Sequence, residues 1–134
     1  MKYNIIVLSL LTALFLSGCA GNGKQAAIET AEKFITSYFA ADYATAKSVS
    51  GSDLKSRVEE SEAMIAELPD SLRTVFVELS SSVEIHRTEV YEYSKDSLLV
   101  EFDIIIPGEM DSMTNAVCVV RNPETGTWTV TEMR

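Results

Sequence analysis

After Ser80-Ser81-Ser82 the hydrophobic period of this chain changes from about 3.6 residues to 2, and that switch restricts the fold more than any other feature. Before it, Ala27, Ile28, Ala31, Phe34, Ile35, Tyr38 and Phe39 recur at helical spacing, with Glu29, Glu32 and Lys33 on the opposite face. The spacing predicts an amphipathic helix from Gln25 to Ala41. Asp42 suits the N-cap of a second, short helix from Tyr43 to Val49, ended by Gly51. Ser52 or Asp53 can cap a third helix carrying Leu54, Val58, Met64, Ile65 and Leu68, which Pro69 breaks. Asp70 or Ser71 then caps a fourth, with Leu72, Val75, Phe76 and Leu79 on one stripe.

Beyond the switch, Val83 and Ile85 alternate with Glu84 and His86. Val90, Tyr91 and Tyr93 extend the strand, and a slip in alternation near Arg87 to Glu89 predicts a bulge. Ser94-Lys95-Asp96-Ser97 reads as a hairpin turn into a strand from Leu98 to Ile106, with Val100, Phe102, Ile104 and Ile106 on one face. Pro107-Gly108 ends that strand. Thr114 to Arg121 and Thr127 to Met133 complete the set, joined by the turn Asn122-Pro123-Glu124-Thr125-Gly126. Helices first and strands after imply an α+β fold, N-terminal helices packed on a curved four-stranded antiparallel sheet.

Charge excludes one broad class of partner. The 134-residue chain carries 11 basic and 20 acidic residues, a net charge of −9. Arg57, Arg73, Arg87, Arg121 and Arg134 are scattered, so no basic patch exists to hold nucleic acid or anionic head groups. Regular patterning and ordinary apolar content exclude disorder.

Met1 to Asn4 supplies one positive charge, and Ile5 to Leu16 is apolar apart from Ser9 and Thr12. Twelve helical residues span roughly 18 Å, short of a ~30 Å bilayer core, which suits the apolar region of a secretory signal. Leu16-Ser17-Gly18-Cys19 follows. These four residues resemble the lipobox of bacterial lipoproteins. The resemblance implies cleavage before Cys19, acylation of its thiol, and a division into signal (1–18), lipidated cysteine and tether (19–25) and one domain (26–134). Two or three acyl chains anchor stably where one binds only marginally. No acidic residue follows Cys19 closely. By resemblance to sorting signals, this implies the outer membrane, facing the periplasm.

Phe39-Ala40-Ala41-Asp42-Tyr43-Ala44-Thr45-Ala46 at the first helix junction, and Asn122 to Val130 around Gly126-Thr127-Trp128-Thr129-Val130, resemble the NTF2-like, cystatin-like-fold superfamily. Small lipoproteins carrying a DUF4878-type domain are the nearest type. The resemblance covers roughly Gln25 to Arg134 and implies a cone in which a bent sheet wraps the long helix. Phe34, Tyr38, Phe76, Phe102 and Trp128 would line or fill that cone. Relatives of this kind bind small molecules, move protons or serve as protein-interaction modules, so fold alone does not choose. The loop from Gly108 to Met113 is longer and more acidic than a tight hairpin needs. It reads as a flap.

Chemistry-bearing residues are sparse. With Cys19 assigned to the anchor, Cys118 stands alone in an apolar strand and reads as a small buried hydrophobe. His86 is the only histidine, alternates with Val83 and Ile85, and belongs on the polar face. No paired-cysteine or second-histidine spacing supports a metal site, and Glu109, Met110 and Asp111 lack the glycine-punctuated ladder of a calcium loop. No residue pattern implies a cofactor. The Glu59-Glu60-Ser61-Glu62 run reads as a solvated helix face.

Three functions follow as expectations. The first is a non-catalytic binding or scaffold module on a lipid anchor, for an envelope protein or small ligand. The second is an enzyme of the ketosteroid-isomerase type, with Asp103 or Glu101 as base and Tyr38, Tyr91 or Tyr93 as donor. In that case the acids, which alternate with Val100, Phe102 and Ile104, would have to be turned inward by a bulge. The third is a homodimer through the outer sheet face, where His86, Thr129 and Thr131 would sit.

Overall fold

The computed structural model describes residues 23–134 as α1 (Gly23–Phe39), α2 (Tyr43–Ser48), α3 (Ser52–Ala66), α4 (Asp70–Ser81), β1 (Glu84–Ser94), β2 (Ser97–Ile105), β3 (Met113–Arg121) and β4 (Trp128–Met133). The signal, Cys19 and the first part of the tether lie outside the described residues. The fold is α+β: four helices precede a four-stranded antiparallel sheet of order β1-β2-β3-β4 that does not close into a barrel. Among the described residues no helix is long and apolar enough to cross a membrane.

α1 opens two residues before the predicted start, so Gly23, Lys24 and Gln25 are helical and not tether. Side chains hold this first turn: Gln25 donates to Glu29 at 3.4 Å, and Lys24 lies 3.7 Å from Glu92 of β1. The buried residues Ala27, Ile28, Ala31, Phe34 and Ile35 form the stripe that faces the sheet. Opposite them lie Leu98, Val100, Phe102 and Ile104 of β2, Val117 and Val119 of β3, and Trp128 and Val130 of β4. Tyr43, Ala46, Leu54 and Val58 close the sides of this core. Each large apolar side chain here contributes about 1.5–3 kcal/mol by leaving water.

The end of α1 stops short of the expected Ala41. Asp42 N–H donates to the Ser37 carbonyl at 2.9 Å and Ala41 N–H to Tyr38 at 3.2 Å, with Ala41 at φ 61°. This is a Schellman ending with alanine where glycine is usual. Asp42 then caps α2, accepting from the Thr45 N–H at 3.3 Å and the Thr45 hydroxyl at 2.7 Å.

Two expected caps are displaced. Gly51 stands at the N-cap of α3 and Pro69 at that of α4, neither with a side-chain bond, so Ser52 and Asp70 are the first helical residues. Gly51 is drawn out of the helix because its N–H donates to the Val130 carbonyl at 2.8 Å. With the Val130 N–H donating to Val49, this makes a short parallel bridge along the free edge of β4. Asp70 instead places negative charge in the first turn of α4, 3.5 Å from Arg73. Arg73 turns back to donate to the Ala66 and Leu68 carbonyls at 3.1 and 2.9 Å, tying the α3–α4 corner.

The strands follow the period-2 reading closely. The register of β1 against β2 shifts between Arg87 and Glu89, where the bulge was expected, and again between Glu92 and Ser94. A third irregularity falls between Cys118 and Val119. Bulges bend a strand and increase its twist, which lets one face follow α1. Arg87 points to the helix side of β1 and lies 2.9 Å from Glu32 of α1.

α4 departs from expectation most. Its apolar stripe predicts a helix buried on the sheet, yet only Ser80 of the whole helix is buried. Leu72, Val75, Val77 and Leu79 are about half exposed. α1 already covers the inner faces of β2, β3 and β4, so α4 lies beside the core and leaves a gap between itself and the other helices.

Candidate functional site

That gap is a groove of about 370 Å³, toward the lower end of the ~300–1,000 Å³ range of small-molecule sites. α1 supplies Tyr38 and Phe39, and α2 supplies Tyr43. α3 supplies Ser61, Met64 and Ile65, while α4 supplies Phe76, Leu79 and Ser80. Val83 and Ile106, just outside the ends of β1 and β2, form the floor.

Helical geometry explains the arrangement. Tyr38 and Phe39 occupy the last turn of α1, where both are half-buried and pack against the margin of the core. Tyr38 lies nearly parallel to Phe34, with ring centroids 5.8 Å apart. Phe39 and Tyr43 meet Tyr38 edge-on at 5.4 and 5.9 Å. Such pairs add ≈0.5–1.5 kcal/mol beyond area and fix the ring orientations. The result is an aromatic wall to a groove that Met64 and Leu79 also line.

Polar atoms are few. The Tyr38 and Ser61 hydroxyls are 3.1 Å apart. Ser61 also donates to the Arg57 carbonyl at 3.2 Å, and Ser80 donates to the Phe76 carbonyl at 2.8 Å. Burial, then proximity to Tyr38 and Glu62, pushes the Tyr43 hydroxyl above its ordinary 10.0, so it stays protonated and neutral. Glu62 is paired with Lys47 at 3.0 Å. None of the lining residues carries a charge at neutral pH.

The five aromatic residues expected at the cone divide into two sets. Phe34, Phe102 and Trp128 are 0%, 1% and 7% exposed and fill the core. Tyr38 and Phe76 line the groove. Phe39, Tyr43 and Ser80, with residues of α3 and the floor, complete it and were not among the expected site residues. The signal that could have found them was the α4 stripe, one apolar helix face more than a single sheet face can cover.

The carboxylates that an isomerase would use are elsewhere. Asp103 opposes His86 and Thr114, and Glu101 opposes Glu89 and Ala116, all on the outer face of the sheet. Asp103 accepts from the Thr114 hydroxyl at 3.2 Å. The bulge that could have turned it inward lies in β1, and β2 runs regularly from Ser97 to Ile104 against β3. Tyr91 and Tyr93 are exposed on β1, 44% and 66%. His86 is exposed, 3.6 Å from Glu84. Cys118 opposes Leu99, four residues along β2 from the position His86 opposes, so the two are not brought together. Burial pushes the Cys118 thiol up from its ordinary 9.0. Thr129 and Thr131 lie on β4, half-buried and exposed respectively. Glu109 and Asp111 are exposed in the β2–β3 loop, and no cluster of three or more potential metal ligands exists among the described residues.

Comparison with models of known protein families, with curated proteins and with solved structures finds no match to this chain.

Proposed function

We propose that this protein is a lipid-anchored binding module of the cell envelope, of the NTF2-like type, that holds a small apolar ligand without chemically changing it. The observation that carries the binding reading is the groove between α1, α3 and α4, with its fixed aromatic wall and uncharged lining. The anchor reading rests on Leu16-Ser17-Gly18-Cys19 at the end of a short apolar run. The NTF2-like reading rests on the order of elements and on the long helix packed along one face of the antiparallel sheet. An outer-membrane, periplasm-facing location rests on the absence of acidic residues directly after Cys19.

Apolar area favours ligand binding. Met64 and Leu79, which line the groove, are left 68% and 45% exposed, a cost that an occupant of the groove reduces. Photolabelling of the full-length protein in its native membrane with an alkyl diazirine tests this. Labelled peptides should map to α3 and α4, and Phe76→Asp should remove them. Labelling spread evenly over the exposed surface would defeat the reading. For the anchor, Cys19→Ala should yield a product without acyl mass that leaves the membrane fraction.

A further inference from the structure

We propose that the groove selects an uncharged ligand bearing a hydroxyl group, which Tyr38 and Tyr43 recognise together. The inference rests on the binding reading above and names the chemistry of its occupant.

Charge narrows the class first. The lining has no ionised residue, and Lys47, one turn beyond Tyr43 on α2, is committed to Glu62 at 3.0 Å. The chain carries −9 overall, and Glu59, Glu60 and Glu62 crowd the same helix as Ser61. A carboxylate entering the groove would lose hydration, find no counter-charge and meet a negative field. An ammonium group would likewise be stripped of water against apolar walls without a carboxylate in the lining.

Proton counting narrows it further. Each serine or tyrosine hydroxyl has one proton to donate. Ser61 donates its proton to the Arg57 carbonyl, and Ser80 donates its own to the Phe76 carbonyl. The 3.1 Å contact between Tyr38 and Ser61 is therefore donated by Tyr38, which leaves the Tyr38 oxygen as an acceptor. Tyr43 is the other tyrosine of the wall, edge-on to Tyr38 at 5.9 Å, and its hydroxyl is held in the protonated form. Its proton is not committed in any described side-chain bond and can be donated. A ligand head thus meets one acceptor and one donor on the same wall. A hydroxyl satisfies both; an ester or ketone can only accept, and a hydrocarbon does neither.

A matched set of photoreactive probes separates these cases. Each has the same alkyl chain and diazirine and ends in an alcohol, a carboxylate, a methyl ester or a methyl group. They are applied to the full-length protein in native membranes, and labelled peptides of α3 and α4 are quantified. The alcohol should label these peptides about fivefold more than the alkane, the effect of one to two neutral hydrogen bonds, and more than the ester or carboxylate. In Tyr38→Phe the alcohol-to-alkane ratio should fall to about one, and Tyr43→Phe should lower it independently should the first variant fold poorly. Equal labelling by alcohol and ester, stronger labelling by the carboxylate, or an unchanged ratio in both variants would overturn the proposal while leaving apolar binding intact. Failure of the alkane probe itself to reach the groove would instead defeat the underlying binding reading. Cross-links from α4 to a second copy or to another envelope protein, with the probes excluded, would overturn both in favour of a protein occupant.

Discussion

Arg121 holds Asp96 at three points: its Nη2 and Nε lie 2.6 and 2.7 Å from the Asp96 Oδ1, and its backbone N–H donates to the Asp96 carbonyl at 2.8 Å. The contact joins the β1–β2 turn to the last residue of β3, and the guanidinium also sits 5.9 Å over the Trp128 ring. Both side chains are about one-third exposed, so solvent weakens the pair but does not cancel it. Arg121→Ala should lower stability by about 1–2 kcal/mol, read from the denaturant midpoint. Arg121→Lys should recover part of this, because one ammonium cannot reproduce the fork.

Ala41 occupies a left-handed conformation at φ 61°, which costs a residue with a Cβ roughly 1–2 kcal/mol relative to glycine. Ala41→Gly should therefore raise the thermal midpoint by a few degrees, part of the gain being offset by the greater freedom of glycine in the unfolded chain. A lower midpoint would mean that the Schellman turn is absent.

Phe34 is fully buried between α1 and the sheet, whereas Leu72 is 54% exposed on α4. Phe34→Ala should cost about 3–5 kcal/mol by loss of burial and creation of a cavity. Leu72→Ser should stay within about 0.5 kcal/mol. Parallel denaturation curves of the two variants check both, and a large loss for Leu72→Ser would place α4 in the core.

Cys118 has its thiol raised above the ordinary 9.0 by burial on the outer sheet face, partly countered by Arg134. The folded state thus holds this proton more tightly than the unfolded one. The associated stability is fully present below pH 9 and is lost as pH rises through the raised folded value. Cys118 should alkylate slowly at pH 8, and the stability gap between wild type and Cys118→Ala should change only on the alkaline side. Peptide mapping after iodoacetamide treatment, at graded pH, reads the first effect directly.

Much of the architecture was legible because local periodicity carries it. The α1 stripe at Ala27, Ile28, Ala31, Phe34 and Ile35, the Asp42 cap and the bulge at Arg87 to Glu89 each have a short-range cause written in adjacent residues. The outward direction of Asp103 followed from simple alternation with Phe102 and Ile104. What periodicity omits is which surface covers an apolar stripe. Leu72, Val75, Phe76 and Leu79 have the pattern of a core helix, but the sheet's inner face was already occupied by α1. The groove exists because of that competition between elements far apart in the chain. The start of α3 was misplaced for the same reason, since Gly51 bonds to Val130 on a strand nearly eighty residues away.

α1 runs seventeen residues from Gly23 to Phe39, a rod of about 25 Å. Its first residue is the one nearest Cys19 in sequence, and its last turn carries the aromatic wall. The N-terminus of α1 and the aromatic wall are therefore opposite poles of one element. Whatever occupies the groove is thereby held at the end of α1 remote from Gly23, a full helix length from the point where the preceding segment joins the domain.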